Sequence, residues 1–294
     1  MAISIRSYAK INWTLDILFR REDGFHEIRT IYQTVSLFDR LHIAEAGDSI
    51  EIVCSDPRVP CDSSNVVFKA ANLLREAAGL SAGARIEIEK RIPVAGGLGG
   101  GSSNAAAALI GLTRFWEIEL DLVQLMKLGA QIGSDVPFFL FGGSALGVGR
   151  GEEVYVMPDI ECPYILLANP GVAVSTASAY GKLPRLTREG SARIIPITLL
   201  AANGIGVRPI DGRNDLEEVV FGLHPEIQKL KERVMDLGAT HALMSGSGAT
   251  VFAVFDNLLT SERARDRLCS EGQWCELASA LGRRAYQSGL FEQA

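Results

Sequence analysis

The stretch Pro93-Val94-Ala95-Gly96-Gly97-Leu98-Gly99-Gly100-Gly101-Ser102-Ser103-Asn104 restricts this chain more than any other. Before it, Ala84-Arg85-Ile86-Glu87-Ile88-Glu89 alternates apolar and polar residues, as a half-buried strand does. After it, Ala105-Ala106-Ala107-Ala108-Leu109-Ile110 consists mostly of good helix formers. Strand, glycine loop and helix start, in that order, leave main-chain N–H groups at the positive end of a helix dipole, where an anion is favoured. Glycines let the main chain close around a phosphate with no Cβ in the way. Ser102, Ser103 and Asn104 suit caps, or extra donors to a phosphate or a metal ion. The expectation is a nucleotide phosphate cradle; the plainer alternative is a surface loop.

Two familiar cradles do not match. A P-loop ends in Gly-Lys-Ser/Thr, and no Lys follows any of these glycines. A dinucleotide fingerprint counted from Gly97 needs Gly or Ala where Ser102 stands. Composition narrows the partners further. A net charge of −6 argues against broad electrostatic binding to nucleic acid or an anionic membrane. The five cysteines form no C-x-x-C pair and the four histidines are scattered, so neither zinc nor a disulfide framework is expected. Residues 1–18 carry Arg6, Lys10 and Asp16, unlike a signal peptide, and the apolar stretch Val136 to Val148 is too short to span a bilayer. A soluble, cytoplasmic protein with a small-molecule partner is the expectation.

The 294 residues and 47% hydrophobic content allow a large core, more readily in two domains than one. Ile3, Ile5, Ala9, Ile11, Trp13, Leu15 and Ile17 share one face of a first strand, and Tyr8, Lys10, Asn12, Thr14 and Asp16 the other. Asp23-Gly24 marks a turn. Strands are expected at His26–Leu37, Leu41–Ala46, Ser49–Val53, Tyr164–Ala168, His241–Met244, Val251–Phe255 and Trp274–Ala278. Helices are expected at 66–78 behind Asn65, at Leu122–Ala130, Ser175–Leu183, Pro225–Leu237 and 260–269. Residues 184–212 read as irregular. The pattern is α+β, with breaks near 150–160 that divide a first domain (1–155) from a second (156–280) and a tail (281–294) packing back on the first.

Three separated stretches carry a resemblance: Ser7-Tyr8-Ala9-Lys10-Ile11-Asn12 with Asp23-Gly24-Phe25-His26, then Pro93 to Asn104, then Leu243 to Thr250. Together they resemble the GHMP kinase superfamily of small-molecule kinases. With Gly133-Ser134-Asp135-Val136-Pro137 they resemble the branch acting on a cytidine diphosphate-linked methylerythritol. The resemblance implies a two-domain fold with the active site in the cleft between domains, and transfer of the γ-phosphoryl group of ATP, with Mg²⁺, to a tertiary 2-hydroxyl.

It also implies roles for residues. Pro93 to Ser103 would hold the triphosphate, with Asn65 near the adenine. Lys10 and Asp135 would be the catalytic pair. Without the resemblance, Asp135 reads as a helix cap before Pro137 and Lys10 as a solvated lysine. Asn12, Phe25, His26, Tyr32, Tyr180, Gly246, Ser247 and Gly248 would contact the substrate. The branch usually has Tyr where Phe25 stands, which keeps stacking and loses a hydroxyl. Tyr32 and Tyr180 read equally as core aromatics, Asn65 as a helix cap, and Gly246-Ser247-Gly248 as a tight turn. No acidic metal ligand is evident, which leaves Ser102 or Ser103 with water for Mg²⁺. Asn214-Asp215-Leu216-Glu217 resembles a signature of the family with no chemistry to assign beyond capping a helix. Homoserine, mevalonate or sugar kinases, a nucleotide-binding regulator without catalysis, and a dinucleotide oxidoreductase are the competing readings.

Overall fold

The computed structural model describes residues 2–183 and 212–292, so the expectation for 184–212 falls almost wholly outside the described residues. Two long strands set the frame. β1 (Ala2–Arg20) and β2 (His26–Ala44) pair antiparallel from Ala2↔Ala44 to Arg20↔His26 across the Asp23-Gly24 turn. The two strands expected between His26 and Ala46 are one. The polar run Asp39-Arg40 that suggests a break continues the ladder instead, with Asp39 buried and Arg40 paired to Glu89 across the sheet.

β3 (Ile50–Cys54), α1 (Val66–Ala78), β4 (Ala84–Glu89), α2 (Gly100–Phe115), α3 (Leu122–Ile132), α4 (Val136–Phe141), β5 (Ser144–Val148) and β6 (Glu153–Val156) complete the first half. The sheet runs β3-β4-β2-β5-β6, with β1 on β2. β2 is long enough to pair β4 at one end (Arg40 to Ala44) and β5 near the other (Thr30 to Gln33). α1 and α2 bury Leu74, Ala105, Leu109 and Leu112 against Leu41, Ile43, Ile86 and Ile88 of the sheet. α4, β5 and β6 were not expected. An all-apolar six-residue helix has no readable period, and Gly147, Gly149 and Gly151 interrupt the strand signal.

The second half holds β7 (Ile165–Asn169), α5 (Thr176–Gly181), α6 (Glu217–Leu223), α7 (Pro225–Asp236), β8 (His241–Met244), β9 (Val251–Val254), α8 (Leu258–Ser270) and β10 (Trp274–Ala278). Its antiparallel sheet, β10-β7-β9-β8, is covered by Ile227, Leu230 and Val234 of α7 and Leu268 of α8. A third cluster joins the halves: Trp13, Ile31 and Leu98 pack with Leu167, Leu243 and Phe252, the Trp13 and Phe252 rings meeting edge-on at 5.3 Å. This is the two-sheet α+β architecture the sequence implies.

The last strand, β10, pairs with β7 in the second sheet. What returns to the first half is the chain after it. Leu281 N–H donates to the Thr34 carbonyl, and α9 (Arg283–Gly289) buries Tyr286 against Gly142 and donates its hydroxyl to the Phe139 carbonyl.

Candidate active site

The N-terminus of α2 opens into a cleft of about 1500 Å³. Its N-cap is Gly99 at φ 68°, and no side chain caps the helix, so first-turn N–H groups are left for a ligand. A Cβ on Gly99 would lie 2.8 Å from Phe139 and 3.0 Å from Lys10 Cγ, so only glycine brings the loop this close to β1. Pro93 to Ser102 all line the cleft.

Ser103 does not. Its Oγ donates to the Tyr8 carbonyl and accepts from Ser7, and its N–H donates to the Gly99 carbonyl. Expected as a phosphate or metal donor, Ser103 instead pins α2 to β1. Asn104 likewise spends its amide on Ser7 and Asp39. Neither residue caps α2, since the N-cap position falls on Gly99.

Asp39 anchors the start of the loop, and nothing in the sequence singled it out. Fully buried, it accepts from the N–H groups of Arg91 (2.7 Å) and Ile92 (2.8 Å), from Asn104 (2.9 Å) and from the Lys90 ammonium. A buried carboxylate is tolerable only with such complete pairing.

The loop after β8 closes on the glycine loop from the other side. Ser245 Oγ donates to the Gly97 carbonyl (3.0 Å) and Thr250 N–H to the Gly96 carbonyl (3.1 Å). Gly246, at φ 54°, approaches so closely that a Cβ would stand 3.1 Å from Lys10 Nζ. Asn214 holds this loop through the carbonyls of Met244 and Gly246, and Asp215 accepts from the Ile17 N–H of β1. The signature at 214–217, which sequence chemistry left unexplained, therefore ties the two halves together at the cleft.

Lys10 is 4% exposed, so it is no solvated lysine. Its Nζ donates to Asn12 Oδ1 at 2.6 Å and lies 3.5 Å from Asp135 Oδ2. Burial lowers the Lys10 pKa, and the Asp135 charge partly opposes that shift. Asn12 in turn donates to Thr30, which fixes its amide orientation. Asp135 stands at the N-cap position of α4 yet makes no capping bond. Its carboxylate turns to Lys10 and to the Tyr32 hydroxyl, 2.9 Å away. The face of β1 expected to be polar and wet is thus polar and buried.

Tyr32 needs a correction. Expected to contact the substrate with its ring, it is 1% exposed and stacked on Phe138 with centroids 4.8 Å apart. Tyr32 still borders the cleft, but with Phe138 on one ring face and its hydroxyl on Asp135 it offers little open ring to a base. Asn65, expected near an adenine, borders the cleft and is also a helix cap. Its Oδ1 accepts from Val67 N–H at the start of α1, and its Nδ2 donates to the Pro60 carbonyl, which fixes the amide's orientation at the cleft edge.

Phe25, His26 and Tyr180 do come together along the cleft wall. The His26 and Tyr180 rings are 5.4 Å apart, and Phe25 is 52% exposed with the Arg150 guanidinium 4.8 Å from its centroid. Burial, with the Arg20 charge nearby, lowers the His26 pKa and favours a neutral imidazole with one donor and one acceptor. Ser247 meets Thr176 of the same wall at 2.9 Å, and Gly246 lines the cleft beside it. Gly248 lies off the wall, with the Met244 sulfur where a Cβ would stand, so it shapes the loop and does not face the cleft.

This geometry can hold a polyanion on backbone amides beside a buried lysine paired with a half-buried carboxylate, with an aromatic wall for a flat ring. The volume exceeds the roughly 300–1000 Å³ of an ordinary ligand pocket. Residues 65–143 match the family described as GHMP kinases N terminal domain, and residues 200–273 match GHMP kinases C terminal. A curated 4-diphosphocytidyl-2-C-methyl-D-erythritol kinase from Bacillus cereus is 43% identical over 86% of this chain and 88% of its own length. A crystal structure of 4-(cytidine 5'-diphospho)-2C-methyl-D-erythritol kinase superposes with a TM-score of 0.79 and 34% identity, covering 95% of this chain and 100% of the other. A homoserine kinase from Cytophaga hutchinsonii, at 18% identity and a TM-score of 0.73 over 99% of this chain and 96% of its own, shares the fold.

Proposed function

Because this chain belongs to the GHMP kinases, we propose that it phosphorylates the 2-hydroxyl of 4-diphosphocytidyl-2-C-methyl-D-erythritol with ATP, a step toward isoprenoid precursors. One observation carries the chemistry: a buried Lys10 paired with Asp135 sits at the uncapped N-terminus of α2, inside a cleft of about 1500 Å³. Phosphoryl transfer passes through a loose transition state, so the protein's work is positioning and charge neutralisation.

The amides between Pro93 and Ser102 bind the triphosphate, and Lys10 balances charge on the transferred group. The acceptor oxygen bonds the γ-phosphorus as the bond to the ADP leaving oxygen breaks, and the hydroxyl proton passes to Asp135. Asn12 fixes Lys10 and faces the acceptor. Phe25, His26 and Tyr180 take the cytosine by stacking and through one ring-nitrogen contact. Among the described residues no cluster of three His, Cys, Asp or Glu is built to hold a metal ion. Ser102, the loop hydroxyl not turned onto β1, would hold Mg²⁺ together with phosphate oxygens and water. Bound there, the cation would supply neutralisation of phosphate charge.

Phosphoryl transfer from ATP should be measured with purified 4-diphosphocytidyl-2-C-methyl-D-erythritol, homoserine and mevalonate. Activity on the first is expected, and activity on either of the others alone overturns the assignment. Asp135→Asn should keep ATP binding and reduce kcat about 10²–10⁴-fold. Unaltered turnover removes Asp135 from its role.

A further inference from the structure

Asp135 has two carboxylate oxygens, and the structure treats them differently. Oδ2 faces Lys10 at 3.5 Å, while Oδ1 accepts from the Tyr32 hydroxyl at 2.9 Å. The hydroxyl's other neighbour, the Gly151 carbonyl, lies 3.5 Å away, at the limit of a hydrogen bond. Burial raises the pKa of the Tyr32 phenol well above its usual value, and the Asp135 charge adds to this, so Tyr32 remains a donor.

The ring that carries this hydroxyl is unusually confined. Tyr32 lies in the interior of the sheet, opposite Asn12 on β1 and Ala145 on β5. Its ring stacks on Phe138, three residues beyond Asp135 on the same helix. A Cβ at Gly147 would stand 2.4 Å from the ring, and one at Gly151 2.3 Å from the hydroxyl oxygen. Two glycines thus make room for a full tyrosine where a smaller residue would free the chain of that constraint. Asp135 itself is 30% exposed and makes no capping bond, so its helix does not hold the side chain in place.

We propose that Tyr32 is a positioning residue for the phosphoryl transfer: its hydroxyl holds Oδ1 of Asp135 and leaves Oδ2 aimed at Lys10 and the acceptor hydroxyl. The role rests on Asp135 receiving the acceptor proton, as proposed above. Although Tyr32 borders the cleft, its hydroxyl is spent on Asp135, and its effect runs through that carboxylate. A carboxylate without this bond can rotate away or cap α4, and a misplacement of about 1 Å can cost about 10²-fold in rate.

Tyr32→Phe removes one oxygen and keeps the stacked ring. The expected result is a kcat lowered about 10- to 100-fold, with KM for ATP and the melting temperature essentially those of the parent. A kcat within about twofold of the parent overturns the proposal, and so does a loss confined to KM for ATP or accompanied by an equal loss of folding stability. Asp135→Asn is measured in parallel. If it is inactive while Tyr32→Phe is unimpaired, only the role of Tyr32 fails; if it retains full turnover, the reading of the site fails with it.

Discussion

Asp39→Asn tests whether the phosphate loop is held by a buried ion pair. The substitution keeps the size of the side chain. One amide oxygen can still accept from Arg91 and Ile92, but the amide nitrogen then faces two donors, the Lys90 ammonium and the Asn104 amide. Lys90 and Asp39 have side chains 5% and 0% exposed, so water cannot repair the mismatch. Removing one partner of a buried pair costs about 3–5 kcal/mol. At about 2–4 °C per kcal/mol for a large domain, the melting temperature should fall by about 10 °C. Urea unfolding should show the loss in the midpoint with little change in slope. Because residues 90–92 lead into the glycine loop, KM for ATP should rise more than kcat falls. Asp39→Asn/Lys90→Met removes the stranded charge as well and should recover about half of the lost stability or more. A single-variant loss under about 1 kcal/mol, or a double variant no more stable than the single, would refute the argument.

Two further outcomes follow from the same geometry. Gly97→Ala places a Cβ 2.1 Å from the Ser245 carbonyl at a residue with φ 76°, so the two loops must separate. Strain and overpacking together should cost about 2–5 kcal/mol, read as a lower melting temperature and a higher KM for ATP; a variant with parental values for both excludes the contact. Burial holds the folded-state pKa of Lys10 below its usual 10.5, although Asp135 opposes the shift. Its charged form therefore costs stability at neutral pH, and that cost disappears as pH rises through the folded pKa toward the unfolded one. Turnover that needs the charged form should fall over the same interval, and Lys10→Arg should move any remaining alkaline limb to higher pH. A limb at the same pH in both proteins removes Lys10 as its origin.

The loop that begins at Pro93 was legible because its signal is local. An alternating strand, a run of glycines and a helix-forming segment lie consecutively, and the backbone needs of an anion cradle can be read from residue types alone. The main helices were legible for the same reason: Pro225 at the start and Gly238 past the end bracket one apolar stripe. The residues that line the aromatic wall were named through resemblance, since Phe25 and Tyr180 are 155 positions apart and no spacing rule joins them.

Long-range pairing decided the rest. Asp135 could be a cap or a reactive carboxylate on sequence, and only the fold shows its side chain directed to Lys10 and Tyr32. Ser103 and Asn104 resemble donors for a ligand until the helix phase turns them onto β1 and Asp39. By itself, the order of residues determined that this chain builds a glycine loop on a strand–helix junction, because that demand is met within a dozen consecutive residues. Which polar side chains reach the cleft and which are spent holding it was decided only when the two halves packed, because a side chain's hydrogen-bond partners are set by neighbours the chain brings back from a hundred residues away.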